Sequence, residues 1–489
     1  MALVLILLPI AMGLLAWALP SNRGRPWLLP LTGAAHLAIT LAVLGRLMAS
    51  PDLRLGAAVS GGGWLVLDPV GGLVLLSISG LFFLCAWYTV GYLRYRQERP
   101  NGVFCACMLA FLGTTSLVAW AHHLGLMWVA IEASALVAAP LIYFNHTPRS
   151  IEATWKYLLV GSIGIALALL GSFFLAYSCL RAGLAPSLMY EDLLRDAPKL
   201  SQPWLHAAFV LLLVGYGTKM GLAPMHTWKP DAYGEAPGVV GALFAGGMVN
   251  VAFLAILRIY HVCQAAGQSA YTAHLLIFMG LLSMLVAGIF MVGQRDFKRL
   301  LAYSSVEHMG ILALGLGIGG PAIFATLLHM INNAATKGVL FLSAGNIHRA
   351  YGGKTTDQVQ GALRRLPLSG ALFLAGFLAI TGSPPFGPFI SEFLIANSAF
   401  AGGRYVAGAL FLAFLLIVFI GMGATVLAVV QGRPSHTEPV STPPYRDGWW
   451  TGLPPLLLMG LVLMLGLYIP NPLQHLLHAA AHYLEVPKP

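Results

Sequence analysis

Charge is scarce in this 489-residue chain: 9% of residues are Asp, Glu, Lys or Arg and 58% are hydrophobic, where a soluble domain carries roughly a quarter charged. That shortage excludes a soluble globular fold, which would aggregate. Cysteine is also sparse. Cys85, Cys105, Cys107, Cys179 and Cys263 fall in or beside apolar runs, with no CxxC and no His at zinc spacing, which argues against a bound metal or iron–sulfur cluster. No Ser/His/Asp set and no dinucleotide fingerprint occurs, and Gly61-Gly62-Gly63 lacks the strand and the closing Gly-Lys pair of a phosphate-binding loop. The chain is therefore expected to hold no cofactor and no redox centre of its own. Its net charge of +10 comes from basic residues scattered singly, without a basic stripe interleaved with aromatics, so nucleic acid is not an expected partner.

Apolar runs of about twenty residues are abundant, long enough to cross a hydrocarbon core of about 30 Å as helix. They lack the period-two alternation of barrel strands, and lipid admits only helices or closed barrels. The fold class expected is all-α, a polytopic membrane protein. About fourteen spans are read near 2–20, 27–48, 64–92, 103–121, 122–144, 153–180, 203–228, 236–265, 272–293, 297–318, 321–347, 367–400, 405–431 and 449–470. Connections are short. The first run has no basic residue ahead of it and is followed by Arg23 and Arg25, so it reads as a retained span rather than a cleaved signal. Asp68-Pro69 reads as the N-cap and first turn of the third span, and His122-His123 as an interfacial pair at a helix start rather than a ligand pair. With the amino terminus outside, loops after odd-numbered spans hold most of the 27 Lys and Arg. Arg94, Arg96, Arg99, Arg295, Lys298, Arg299, Arg349, Lys354, Arg364 and Arg365 anchor that reading. The positive-inside rule then puts both termini on the outer face of a bacterial inner membrane.

Two spans break in the same manner. The seventh reads Thr218-Lys219-Met220-Gly221-Leu222-Ala223-Pro224, and the twelfth Thr381-Gly382-Ser383-Pro384-Pro385-Phe386-Gly387-Pro388. Gly221, Pro224, Pro384 and Pro385 cannot continue helical hydrogen bonding. Paired interruptions point to an inverted-repeat transporter. Their spacing of five spans divides the chain into flanking helices (1–100), a first five-helix repeat (101–268), a second (269–432), and a C-terminal loop and helix (433–489).

Ionisable groups are costly inside a bilayer and each needs a partner or a wet cavity. Glu132 is central in span five, Lys219 lies at the first break, Glu307 and His308 are mid-span ten, His329 and Lys337 lie in span eleven, and Glu392 follows the second break. His329, Asn333 and Lys337 are four apart, a ladder along one helix side. Burial penalises the charged form of both Glu and Lys, and pairing restores it. A Glu132–Lys219 pair would therefore be an electrostatic switch for a proton.

The stretch from Gly217 through Lys219, His226, Lys229 and Glu235 to Pro237 resembles the broken-helix signature of the antiporter-like subunits of respiratory complex I, Mrp cation/proton antiporters and membrane-bound nickel–iron hydrogenases. Asp296 to Gly310 and His329 to Gly345 resemble it too, and the likeness covers spans three to thirteen. Lys229 and the Glu307-His308 pair look most like the F component of hydrogenase-4. The resemblance implies a proton-translocating subunit whose partners are other membrane subunits and a peripheral redox arm, with a Na⁺ or K⁺/proton antiporter subunit of Mrp type as the alternative. It implies an input half built on Glu132 and Lys219, a central axis through His329 and Lys337, and an exit site at Glu392. The eighth-span position often held by Lys or His in the family is Asn250 here, so the central relay is expected to run through water and Glu307 or His308.

Overall fold

Apolar runs satisfy their own backbone groups in lipid only as helices, and the computed structural model is helical nearly throughout. It describes residues 1–50, 54–56, 63–432 and 445–485; Gly61 and Gly62 of the glycine triplet lie outside them. The helices are α1 (Ala2–Ala18), α2 (Leu28–Ala49), α3 (Pro69–Arg94), α4 (Gly102–Trp120), α5 (Leu124–Ile142), α6 (Pro148–Arg181), α7 (Tyr190–Asp196), α8 (Gln202–Met220), α9 (Trp228–Glu235), α10 (Gly238–Leu243), α11 (Val249–Ala265), α12 (Ser269–Met291), α13 (Phe297–Ile318), α14 (Pro321–Tyr351), α15 (Ala362–Arg365), α16 (Pro367–Ile380), α17 (Gly387–Ala401), α18 (Tyr405–Gln431), α19 (Trp449–Leu467) and α20 (Asn471–Glu485). A small antiparallel pair, β1 (Leu55–Gly56) and β2 (Val66–Leu67), sits before α3.

Among the described residues, ten segments are long and apolar enough to cross a membrane: α2, α3, α4, α5, α6, α10 with α11, α12, α13, α18 and α19. The shorter apolar α1, the long polar-studded α14, and the interrupted pairs α8/α9 and α16/α17 complete the expected set. Burial sorts these helices into layers. The apolar window of α10–α11 is 100% buried and that of α13 89%, while those of α6, α12 and α18 are 39% buried and turn apolar side chains such as Leu159, Phe278 and Ile420 outward. The charged groups therefore sit in a core that other helices screen from lipid. Small residues let backbones approach there: a Cβ on Gly280 would meet Gly310 O at 2.7 Å, and one on Gly310 would meet Gly280 O at 2.6 Å.

The N-terminus of α3 is capped as its sequence suggests, with Gly71 N donating to Asp68 Oδ1 at 2.6 Å. Asp68 does more than cap. Its other oxygen lies 3.3 Å from Arg258 Nη2 on α11 and 3.1 Å from His122 Nε2. His122 is fully buried, so of the adjacent histidines only half-buried His123, stacked on Trp64, keeps the interfacial character expected of both. Arg258 also donates to Ala119 O and Ala121 O, tying the end of α4 to α11. A second departure follows the last span. The sequence there is too polar for a membrane helix, and it folds as amphipathic α20, burying Leu476, Leu477, Ala480 and Leu484 while His475, His478 and His482 stay exposed.

Candidate functional site

Both broken spans interrupt where the Gly and Pro residues require. Helix α8 ends at Met220 with Gly221 in the left-handed region (φ +87°), and Leu222 N returns to Gly217 O at 2.8 Å. Helix α16 ends at Ile380, followed by Gly382 at φ +68°. Ala223–Pro224 and Pro384–Pro385 are cis. Each break places an ionisable side chain beside backbone groups that no longer serve a helix.

At the first break the structure brings together the two residues that electrostatics paired. Lys219 Nζ lies 3.0 Å from Glu132 Oε2, with side-chain exposures of 3% and 19%. It is an ion contact rather than an aligned hydrogen bond, because Glu132 Oε2 has no hydrogen-bond partner. The Tyr157 ring centroid is 5.7 Å from the ammonium, and Gly161 on α6 leaves it room: a Cβ there would lie 2.9 Å from Nζ.

Lys229 is the residue that joins this pair to the rest. It is fully buried at the start of α9. Its ammonium donates to Met220 O at 2.7 Å, capping the broken end of α8, and to Ser305 O on α13 at 3.4 Å. One turn away on α13, Leu301 O and Ser304 Oγ accept from Lys337 Nζ at 3.4 and 2.6 Å, and Ser304 Oγ lies 3.5 Å from Glu307 Oε2. Thus α13 forms a seam that Lys229 meets from one side and Lys337 from the other.

From Glu307 the row continues to the second break. His308 Nε2 is 3.8 Å from Glu307 Oε2. His308 Nδ1 and His329 Nε2 are 2.9 Å apart, and His329 Nδ1 is 2.9 Å from Ser391 Oγ. The hydroxyl of Ser391 also reaches Pro388 O at 3.0 Å. His308 and His329 thus share one hydrogen bond, whose direction follows the tautomer of each ring. The result is a hydrogen-bonded pair of imidazoles between Glu307 and α17. Beside them, Glu392 is 4% exposed and its Oε1 has no partner. A Cβ on Gly382 would fall 2.2 Å from Glu392 Oε2, so only glycine lets the broken backbone pass this carboxylate.

The seven expected ionisable residues fall into two groups: Glu132 with Lys219 at the first break, and Glu307, His308, His329, Lys337 and Glu392 among α13, α14 and α17. The ladder on α14 is only partly realised. Residues four apart drift by about 40° on an ideal helix, and the Asn333 amide points toward Ala245 O (3.4 Å) in the π-turn Phe244–Met248. Its neighbour Asn332 instead meets Ser391 Oγ at 3.4 Å. Asn250 faces α3, donating to Ser77 Oγ at 3.1 Å, and takes no part in the α13 seam. Sequence reading assigned no link to Lys229, Ser304, Ser391 or Asn332. Only Lys229 carried a signal, a cation in an otherwise apolar turn beside the break.

On the face rich in basic residues, a cavity of about 470 Å³ is lined by Arg96, Asn145, Lys298, His348 and Arg349 among others. Lys298, in the first turn of α13, donates to Ala236 O at 2.6 Å, and Lys354 pairs with Glu235 at 2.7 Å and Asp296 at 3.3 Å.

Comparison with known proteins agrees with this architecture. The family model described as NADH:quinone oxidoreductase/Mrp antiporter, transmembrane, matches residues 121–420. A hydrogenase-4 component F homolog of Methylacidiphilum infernorum is 36% identical over 84% of this chain and 86% of its own length. The NADH-quinone oxidoreductase subunit N of Desulforudis audaxviator is 33% identical over 83% of this chain and 82% of its own. A chain in the structure of the Mrp complex from Dietzia sp. DQ12-45-1b shares the fold with a TM-score of 0.87 at 20% identity, covering 99% of this chain and 97% of that one. With the family match spanning both broken helices and the seam between them, this multi-pass membrane protein belongs to the NADH:quinone oxidoreductase/Mrp antiporter family.

Proposed function

We propose that the chain is a proton-translocating membrane subunit of a hydrogenase-4-like or complex I-like oxidoreductase assembly, which moves protons through Glu132, Lys219, Lys229, Lys337, Glu307, His308, His329 and Glu392. The observation that carries this reading is the seam along α13, where the side chains of Lys337, Ser304, Glu307, His308 and His329 follow one another, each able to hold or relay a proton, and where Lys229 from the first break meets the backbone at Ser305 O. Glu132 and Lys219 form the input switch. Separating them frees a proton from the ammonium, and rejoining them draws one back, since a buried charge is tolerated only beside its partner. Lys229 hands charge from the first break to the seam, Lys337 and Glu307 hold it at the centre, and the imidazole pair delivers it to Glu392. The chain has no redox centre in this reading, so the driving step is the task of partner subunits: other membrane subunits and a peripheral redox arm. The names of the relatives, a component of hydrogenase-4 and a subunit of NADH-quinone oxidoreductase, support such an assembly.

Organisation and topology follow the same reading. Residues 101–268 and 269–432 act as two repeats in inverted orientation, each with one broken helix, flanked by 1–100 and 433–489. The basic face with Arg96, Lys298, Arg349 and Lys354 is cytoplasmic and both termini are periplasmic, in a bacterial inner membrane.

The test is to reconstitute the intact complex purified through this chain in liposomes and follow internal pH by a fluorescent dye. Electron donor should drive a pH gradient that a protonophore collapses and that is unchanged when Na⁺ and K⁺ are replaced by choline. A gradient that forms only with Na⁺ or K⁺ would move the assignment to the Mrp-type antiporter. Purification as a lone chain that moves no protons would remove the reading.

A further inference from the structure

The imidazole pair and Glu392 have a second capacity. His308, His329 and Glu392, drawn from α13, α14 and α17, each offer a ligand atom, and these atoms all lie within 4.8 Å of one another. In a tetrahedral zinc site the ligand atoms are about 3.3 Å apart, so small side-chain rotations bring the three onto one ion. Glu392 Oε1 is moreover buried without a hydrogen-bond partner. Nothing in the cysteine or histidine spacing announces this cluster, because each ligand comes from a different helix.

We infer that His308, His329 and Glu392 form a binding site for a divalent transition ion of the Zn²⁺ type, which occupies the position of the proton now shared by the two rings. The proton balance is simple. In the bound state His308 carries its one proton on Nε2, toward Glu307 Oε2 at 3.8 Å, and its Nδ1 binds the ion. His329 carries its one proton on Nδ1, toward Ser391 Oγ at 2.9 Å, and its Nε2 binds the ion. Glu392 supplies the anionic oxygen. Ser391 and Glu307 then orient the two rings from behind, the arrangement that fixes ligating histidines in metal sites. Two imidazole nitrogens and one carboxylate suit zinc, cobalt or nickel, whereas alkali ions prefer oxygen alone. Binding depends only on this geometry. Its consequence, that Zn²⁺ blocks translocation by taking the same groups protons use, rests on the function proposed above.

The probe is Co²⁺ titrated into the detergent-purified full chain, read by its visible absorption and by competition with Zn²⁺. We expect one ion per chain, displaced by Zn²⁺ and unaffected by excess Na⁺. Affinity should fall at least tenfold in Glu392→Gln, His329→Gln and Ser391→Ala, and stay unchanged when exposed His475, His478 and His482 on α20 are all replaced by Ala. Co²⁺ binding that survives the cluster substitutions, or that disappears with the α20 histidines, overturns the site. Should a cluster variant not fold, X-ray absorption on the Zn²⁺-loaded wild type decides: two imidazoles and a carboxylate support the proposal, and fewer than two imidazoles refute it. Tight binding at the cluster that leaves proton movement intact upholds the site and counts against the pathway.

Discussion

Replacing Lys219 by Ala is expected to abolish the pH gradient, with a loss on the order of a hundredfold, the scale of one positioned acid–base group. It should destabilise the protein at the same time. Among the described residues the substitution removes the one charge paired with Glu132, and it leaves a carboxylate of 19% exposure within the bilayer; breaking a buried pair from one side costs about 3–5 kcal/mol, with the lower end apt at this exposure. The two effects separate in the double variant Lys219→Met with Glu132→Met. Removing both charges leaves no orphan, and apolar replacement of a buried pair is typically neutral or stabilising. Thermal unfolding of the double variant should therefore return to the wild-type midpoint while the pH gradient stays absent. Recovery of transport along with stability would show that the pair is only structural.

Glu392→Gln should have an equally large effect on transport and the opposite effect on stability. Gln keeps the shape of the side chain beside Gly382 and Asn332 but cannot take up or release a proton. A buried carboxylate with an unpartnered oxygen is expensive when ionised, so the neutral amide is expected to raise the unfolding midpoint slightly. Transport should fall on the order of a hundredfold. Because Glu392 sits at the far end of the row, the Glu132–Lys219 contact remains intact in this variant. A full pH gradient in Glu392→Gln would show that protons leave by another route.

Much of this arrangement is legible in the residues, and the rest is hidden for identifiable reasons. The helix breaks are visible because Gly and Pro beside an ionisable group leave few alternatives to a functional interruption. The Glu132–Lys219 contact is legible only as a hypothesis: two costly charges in spans five and seven have a common remedy, but nothing in the sequence makes those spans adjacent. Cross-helix links are different in kind. Ser304 and Ser391 look like any serine bonded to its own helix, and their role depends on which side of α13 and α17 faces α14. Asn333 was favoured over Asn332 by simple four-residue spacing, yet helical drift and the π-turn at Phe244–Met248 turn it elsewhere. The Asp68–Arg258–His122 cluster escaped notice because its members lie far apart in the chain, in what read as loop and span ends. Helix α20 escaped because its apolar stripe is too narrow for a hydropathy window.

Asn250 illustrates how structure changes the weight of a departure. Read from sequence, an Asn in place of a Lys or His sends the central relay through water and Glu307 or His308. In the fold, Asn250 bonds to Ser77 on α3, while the Lys229 ammonium reaches both the α8 break and Ser305 O. The proposed pathway accordingly bypasses Asn250 through Lys229, on the short helix after the break.

That bypass is the central claim, and Lys229→Met tests it most directly. Met matches the length of Lys and leaves the Glu132–Lys219 pair and the Glu307–Glu392 cluster in place. Proton movement by the reconstituted complex should fall on the order of a hundredfold with the protein still folded and assembled. A wild-type pH gradient in Lys229→Met would contradict the account.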